Sequence, residues 1–326
     1  MPPLVYVVMP VHNREFSLER SVTSIINQTY TNWQLIIVDD NSTDDTHLII
    51  HKLIATDARI STKTNTEYSH SAAGARLSGI DERTGKYIAF LDSDDEWPEY
   101  HLMEFVNYLE ENPSIDVIFG DITRRDFKTK KTIVKSKFTQ ENGLPKAINT
   151  QWDGIHGKIN DNQLIEKAIS YRFNIGLHTA LLRTQVFDKI TLREIKTGED
   201  FLFTLELITN KFRLAASKKI HLLYNIHDQN ISNSNKSNDI SQQEKNCIQE
   251  SLIYKDLIPK YLPHTHSIRN ASEIALAKLY VWHLGNSIYR QNGMRYKAIS
   301  TILKGITLHP THAPYWKTLL ATCITK

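Results

Sequence analysis

The chain has 326 residues, 40% of them hydrophobic and 23% charged, with a formal net charge of +3. That balance fits a globular protein of one large or two modest domains. No apolar run approaches the roughly 18–20 residues that cross a bilayer, and Cys247 and Cys323 are too few and too far apart for a disulfide framework or a zinc site.

The first residues, MPPLVYVVMP, lack a basic leader and a small-residue cleavage site, so residues 4–9 read as a first strand, stopped by Pro10. A reducing, cytoplasmic setting is the resulting expectation. Ser17 is placed to cap a helix whose apolar positions Leu18, Val22, Ile25 and Ile26 keep helical spacing. Residues 34–38 (QLIIV) form a second buried strand closed by Asp39 and Asp40. Ser42 and Asp45 then read as a capping box for a helix through about residue 54. A short strand near Ile60, a helix over 72–83 ended by Gly85, and a strand over 87–91 follow. A helix over 100–110 and a strand over 117–120 complete the regular part.

Strands that alternate with helices and are continuously apolar call for an α/β fold with a mostly parallel sheet covered on both faces. Ligands of such sheets bind beyond the carboxyl ends of the strands. Three strands here end in polar clusters: Pro10-Val11-His12-Asn13-Arg14, Asp39-Asp40-Asn41-Ser42, and Asp92-Ser93-Asp94-Asp95. All three should converge on one cleft. Asp92 and Asp94, one residue apart at a strand end, would lie within reach of one Mg²⁺ or Mn²⁺ ion completed by substrate phosphates. Such an ion offsets their mutual repulsion. Asp95 and Glu96 read instead as N-terminal helix acids near Pro98.

Residues 124–137 hold seven bases and one acid and look like a charged hairpin or loop, whereas 227–243 are rich in Ser and Asn and read as a mobile loop. Helical periodicity dominates beyond it. From residue 257 to the end there are nine Lys/Arg and a single acid, Glu273, so the preceding 256 residues carry a net negative charge. A basic end with seven Tyr and Trp side chains suits an anionic membrane face, the inner leaflet in a cytoplasmic setting. The alternative is a helical cap whose aromatics pack on the core. Nucleic acid is not expected, because no recognised motif accompanies the charge.

MPVHNR, QLIIVDDNSTDDT, GARLSGI and GKYIAFLDSDDEW, in that order and at those intervals, resemble the nucleotide-sugar-binding half of inverting family 2 glycosyltransferases of the GT-A (Rossmann-like) fold. The likeness is dense to about residue 121 and thins to KTGEDFLF and YNIHDQNIS. It implies an enzyme moving one sugar from a nucleotide-sugar, probed best as a UDP-sugar, to a saccharide or lipid-linked saccharide. It also implies a donor half over 1–121, an acceptor half with the base and a closing loop over 122–243, and a basic helical region over 244–326. Pro10, Val11 and Asn13 would line the nucleotide cleft, with Asp39 or Asp40 on the base and Arg76 near base and diphosphate. Asp92 and Ser93 would meet the ribose side, Asp94 (with Asp92) the metal, and His227 the metal or diphosphate. Asp200, in Gly198-Glu199-Asp200, would be the catalytic base; the bare alternative is a pair of first-turn acids on a helix dipole.

Leu77 stands where the family usually carries Asn, which removes any polar contact from that position. QNGMRY at 291–296 lacks the spacing of the QxxRW motif of elongating synthases, so a single-sugar transferase is expected. A nucleotide-sugar-binding protein without transfer activity should lack Asp200. A metal-dependent nucleotidyltransferase should carry a Gly-rich phosphate loop where HNREFS stands.

Overall fold

A computed structural model describes residues 1–140, 144, 146–195, 197–227 and 239–324. The chain divides into two compact units, Met1–Leu164 with Phe173–Ile226, and Ile165–Arg172 with His227–Lys326.

The first half of the first unit alternates β1 (Val5–Val11), α1 (Leu18–Ile26), β2 (Trp33–Asp39), α2 (Thr46–Thr56), β3 (Ile60–Thr64), α3 (Ala72–Asp81), β4 (Tyr87–Phe90) and α4 (His101–Glu111). Then come β5 (Val117–Asp126), β6 (Thr132–Val134), α5 (Lys137–Gln140), β7 (Thr150–Asp153) and β8 (His156–Ile159), and next in the chain α6 (Leu164–Tyr171), which beyond Leu164 belongs to the second unit. Strand β9 (Ala180–Arg183), helix α7 (Glu199–Thr209) and the long strand β10 (Leu214–Ile226) close the first unit. The strands form one sheet in the order β3-β2-β1-β4-β9-β5-β10-β8-β7, with β6 on β5. Strands β3, β2, β1 and β4 are mutually parallel, as their continuous apolar runs demand. The short strand β9 runs antiparallel between β4 and β5, and β5 pairs parallel with β10, so the sheet as a whole is mixed. The basic stretch after β5 is the expected hairpin, β5 against β6.

Val5, Val7, Met9, Leu35, Ile37 and Tyr87 lie within the main core on the sheet. Helix α3 sits closest: a Cβ on Gly79 would fall 2.3 Å from Val8 Cγ1. Only a glycine lets the helix backbone approach the strands that far.

Three local expectations are overturned. Ser17 stands at the N-cap of α1 but makes no capping bond; its hydroxyl donates to the Ser93 carbonyl, 2.9 Å away. Ser42 does not cap α2, whose N-cap is Asp45 and lacks a side-chain cap bond. Asp95 and Glu96 cap nothing, since α4 begins at His101 after Tyr100. In each case a tertiary partner wins the polar group from the local backbone.

The second unit is helical: α8 (Ile240–Leu252), α9 (Ile258–Tyr261), α10 (His266–Lys278), α11 (Arg295–Leu308) and α12 (Ala313–Ile324), with π-helical turns over Ile253–Leu257 and Leu279–Arg290. Its small core joins Ala277, Val281, Ile302, Ile306 and Tyr315. Among the described residues no helix is long and apolar enough to cross a membrane.

Candidate active site

The carboxyl ends of β1, β2 and β4 lie side by side, with Val11 opposite Asp39 in the register and Leu91 N donating to the Val8 carbonyl at 3.2 Å. Pro10 and Val11 are buried at the tip of β1. The two following loops turn through Asn13 (φ 51°) and Asn41 (φ 59°), and asparagine is among the few side chains that tolerate this left-handed backbone. Asn13 Oδ1 accepts from Thr43 N at 2.8 Å, while Asn13 N donates to Ser42 Oγ at 3.0 Å, so the loops after β1 and β2 are bonded to each other.

The two acids ending β2 take different roles. Asp40 is buried, and its Oδ1 accepts from Asn65 Nδ2 at 2.7 Å and lies 3.3 Å from His70 Nδ1. Asp39 is half-buried; Ser42 N and Oγ both donate to its Oδ1, at 3.0 and 2.6 Å, and no described residue bonds its Oδ2. Of the pair, Asp39 is the less buried, and no described residue bonds Oδ2 of either acid.

Arg76 joins motifs far apart in the chain. It projects from α3, is buried, and donates through Nη2 to Asp92 Oδ1 (2.5 Å) and through Nη1 to Glu199 Oε1 (3.0 Å). Gly198, in the left-handed region at φ 87°, starts α7 so that Glu199 and Asp200 occupy its first turn. Burial alone would lower the Arg76 guanidinium; Asp92, Asp200 and Glu199 outweigh it and hold the proton firmly. Burial alone would raise Asp92, but Arg76 and His178 hold it well below the usual carboxylate range. Burial and the neighbouring Asp200 push Glu199 up to about 7, against the pull of Arg76. Asp200 Oδ1 is buried without a hydrogen-bond partner.

On the other side of Asp92, ligand atoms of Asp92, Asp95 and His178 lie within 4.8 Å of one another. Asp95 is fully buried; Asn225 N donates to its Oδ1 at 3.0 Å, and its Oδ2 has no partner. Burial, then Asp94 and Asp92, raise its carboxyl well above the ordinary range. His178 Nε2 is likewise buried and unpartnered. Two orphaned ligand atoms beside a deprotonated carboxylate are what a divalent cation would satisfy, and the two carboxylates of the set suit Mn²⁺ or Mg²⁺. Asp94 is outside this trio: its carboxylate faces Arg14 Nη2 at 3.4 Å, and its carbonyl accepts from Asn225 Nδ2 at 2.7 Å. Glu96 pairs with Arg20 (2.5 Å) and Arg125 (2.6 Å). Ser93 is buried and contributes its carbonyl to Ser17.

The structure thus gathers Arg76, Asp92, Glu199 and Asp200 into one constellation and binds the loops carrying Asn13 and Asp39 beside each other. His227 directly follows β10 as the first residue of the second unit's main segment, and 228–238, the greater part of the expected closing loop, lie outside the described residues. Sequence reasoning did not single out His178, nor Asp95 as more than a cap. A lone histidine before a four-residue strand carries no periodic signal, whereas Asp95 stood in plain view within DSDD.

The chain belongs to glycosyl transferase family 2, whose model matches residues 6–182, more than half its length. It is 39% identical over 118 residues to the UDP-Glc:alpha-D-GlcNAc-diphosphoundecaprenol beta-1,3-glucosyltransferase WfgD of Escherichia coli, a match covering 36% of this chain and 45% of that one. To the poly(ribitol-phosphate) beta-N-acetylglucosaminyltransferase TarP of Staphylococcus aureus it is 32% identical over 213 residues, covering 63% and 58%. The chain therefore spans about half the length of these curated relatives. Staphylococcus aureus TarS, solved in complex with UDP-GlcNAc, superposes with a TM-score of 0.60 at 19% identity, over 93% of this chain and 81% of that one. The fold is GT-A.

Proposed function

We propose that the chain transfers one sugar, with inversion, from a UDP-sugar to a hydroxyl of a saccharide or lipid-linked saccharide. The observation that carries this reading is Arg76, which binds Asp92 and Glu199 to one guanidinium, next to Asp200, whose Oδ1 is buried and unpartnered. In this reading Asp200 takes the proton of the acceptor hydroxyl as its oxygen attacks the anomeric carbon. The bond from that carbon to the diphosphate breaks on the opposite face, and the nucleoside diphosphate leaves with the electron pair. Asp39 offers its Oδ2 to the base, while Pro10, Val11 and Asn13 line the cleft. Asp92, Asp95 and His178 would hold a divalent ion, with Asp94 beside them, and His227 remains a candidate for the diphosphate side. Such an ion supplies charge neutralisation of the leaving diphosphate. A lipid-linked acceptor would be met at the cytoplasmic leaflet, to which the basic helical region is suited.

The test is a thermal-shift panel of UDP, GDP, dTDP and CMP, each with and without Mn²⁺. UDP with Mn²⁺ should raise the melting temperature most, and silence toward every nucleotide would overturn the reading. In Asp200→Asn, turnover should fall by about 10²–10⁴-fold while UDP binding persists; undiminished turnover removes Asp200 from the mechanism.

A further inference from the structure

The second unit's last helix turns its apolar side outward. On α12, Trp316, Leu320 and Ile324 are 46%, 59% and 77% exposed, each four residues after the last, so they form one stripe along the helix. The opposite side of the same helix carries the buried Tyr315 and Thr322, with Tyr315 packed among Val281, Ile302 and Ile306. An apolar stripe is therefore left over after the helix has satisfied its own core. Helix α11, which shares that core, shows the same habit: Tyr296 and Leu303, seven apart, are exposed at 91% and 42%.

Charge says what such a face meets. Between Lys278 and Lys326 there are seven Lys/Arg and no Asp or Glu. Lys304 follows Leu303, and Lys317 follows Trp316; both are exposed, and among the described residues no acid pairs with either. A second copy meeting this face through its own copy of the same face would add more positive charge to a stretch with no acid to receive it. An anionic lipid surface offers both required partners, an acyl boundary for the aromatic and aliphatic side chains and phosphate groups for the lysines.

From this we infer that the outward stripe of α12, with Lys304 and Lys317, is a docking surface for an anionic membrane, held in the interfacial plane without crossing the bilayer. The inference builds on the reading that the basic region meets a membrane and narrows it to one helix face. Trp316 fits the boundary position: its ring is half exposed, while its Nε1 donates to the Pro310 carbonyl at 2.8 Å. Arg295 donates to the Cys323 carbonyl, which ties the start of α11 to the end of α12 and keeps the stripe on a fixed support.

The test is co-sedimentation of the full chain with phosphatidylcholine vesicles, with and without phosphatidylglycerol. Binding is expected to the phosphatidylglycerol vesicles and to weaken as salt is raised. Trp316→Ser with Leu320→Ser should lower that partitioning on the order of tenfold by removing buried apolar area. Lys304→Gln with Lys317→Gln should lower it about fivefold per lysine while leaving the weak binding to neutral vesicles unchanged. Both variants alter exposed positions, and a thermal melt of each confirms that the fold is kept. Absent binding to anionic vesicles, or binding indifferent to the Trp316/Leu320 change, overturns the inference. So does a self-association in sedimentation equilibrium that the same change abolishes, because the stripe then belongs to a second copy. None of these outcomes depends on the nucleotide response, so membrane docking and sugar transfer stand or fall separately.

Discussion

Two clusters of charged side chains in the first unit differ in how completely they are satisfied. Under α4 and β10, the Glu104 carboxylate lies 2.8 Å from Lys219 Nζ, 3.1 Å from both His156 Nε2 and His221 Nε2, and 3.2 Å from Ser217 Oγ. Burial alone would raise Glu104, yet the bonds from His221 and Lys219 hold it well below the usual carboxylate range. His101 and His221 are pushed down by burial and stay neutral, their Nδ1 atoms 3.1 Å apart, and His101 stacks on Trp97. Only His101 Nε2 lacks a partner there. At the strand tips the reverse holds: Asp95 Oδ2, His178 Nε2, Arg76 Nε and Asp200 Oδ1 are all buried and unpartnered. Unmet buried polar groups are costly and persist where a ligand is to meet them. The Glu104 cluster is a cross-brace; the Arg76 cluster is the candidate binding site.

Removing the central cation tests that contrast most severely. Arg76→Met leaves Asp92, Glu199 and Asp200 without their common partner, and breaking a buried ion cluster in this way costs about 3 kcal/mol or more. The urea midpoint should fall accordingly, and Mn²⁺ should restore part of the loss by supplying positive charge next to Asp92. An unmoved midpoint would mean that Arg76 does not hold the acids together. Glu104→Gln should cost about 2 kcal/mol, because the ammonium of Lys219 and the imidazole groups lose a charged acceptor. Its stabilisation by UDP and Mn²⁺ should be unchanged. A lost ligand response in Glu104→Gln would erase the distinction between brace and site.

How much of this could be read beforehand depends on the range of the interactions. Strands β1, β2 and β4 announce themselves through uninterrupted apolar runs, and parallel pairing then forces their tips together, so the place of the candidate site is legible. The roles within it are not. Ser17 looks like a cap until Ser93, 76 residues later, takes its hydroxyl. Ser42 looks like a cap until Asn13, 29 residues earlier, donates its backbone N–H to the Ser42 hydroxyl. Asp95 looks like a helix acid because nothing local reveals that Asn225, 130 residues on, encloses it. Strand β9 is three apolar residues and an arginine with no alternation, and its antiparallel insertion between β4 and β5 follows only from the finished sheet. The helices of the second unit are legible as helices from their period. Which side of α12 is left outward depends on where Tyr315 packs, and no period states that.

The smallest effect is the most discriminating, because the two clusters then move in opposite directions. Glu199 is 17% exposed at its side chain and is raised to about 7, so the folded protein binds a proton there that the unfolded chain releases near 4.5. The stability linked to that proton is present below about pH 4.5 and is lost as pH rises through about 7. Glu199→Gln removes the ionisation and keeps an acceptor for Arg76 Nη1. At pH 8 the variant should be more stable than the parent by on the order of 1 kcal/mol, and the gap should close at pH 4.5. Asp95, whose carboxyl is also raised, titrates in both proteins and cancels in the difference. Glu104 is depressed, so its stabilisation is present above its unfolded value and is lost only in acid; Glu104→Gln must destabilise at the same pH 8. Urea unfolding of the two variants at pH 4.5, 6 and 8 reads both signs in one experiment. If Glu199→Gln also lost stability at pH 8, its carboxylate would be braced like Glu104, and the strand-tip cluster would no longer be distinguished by charge it leaves unmet.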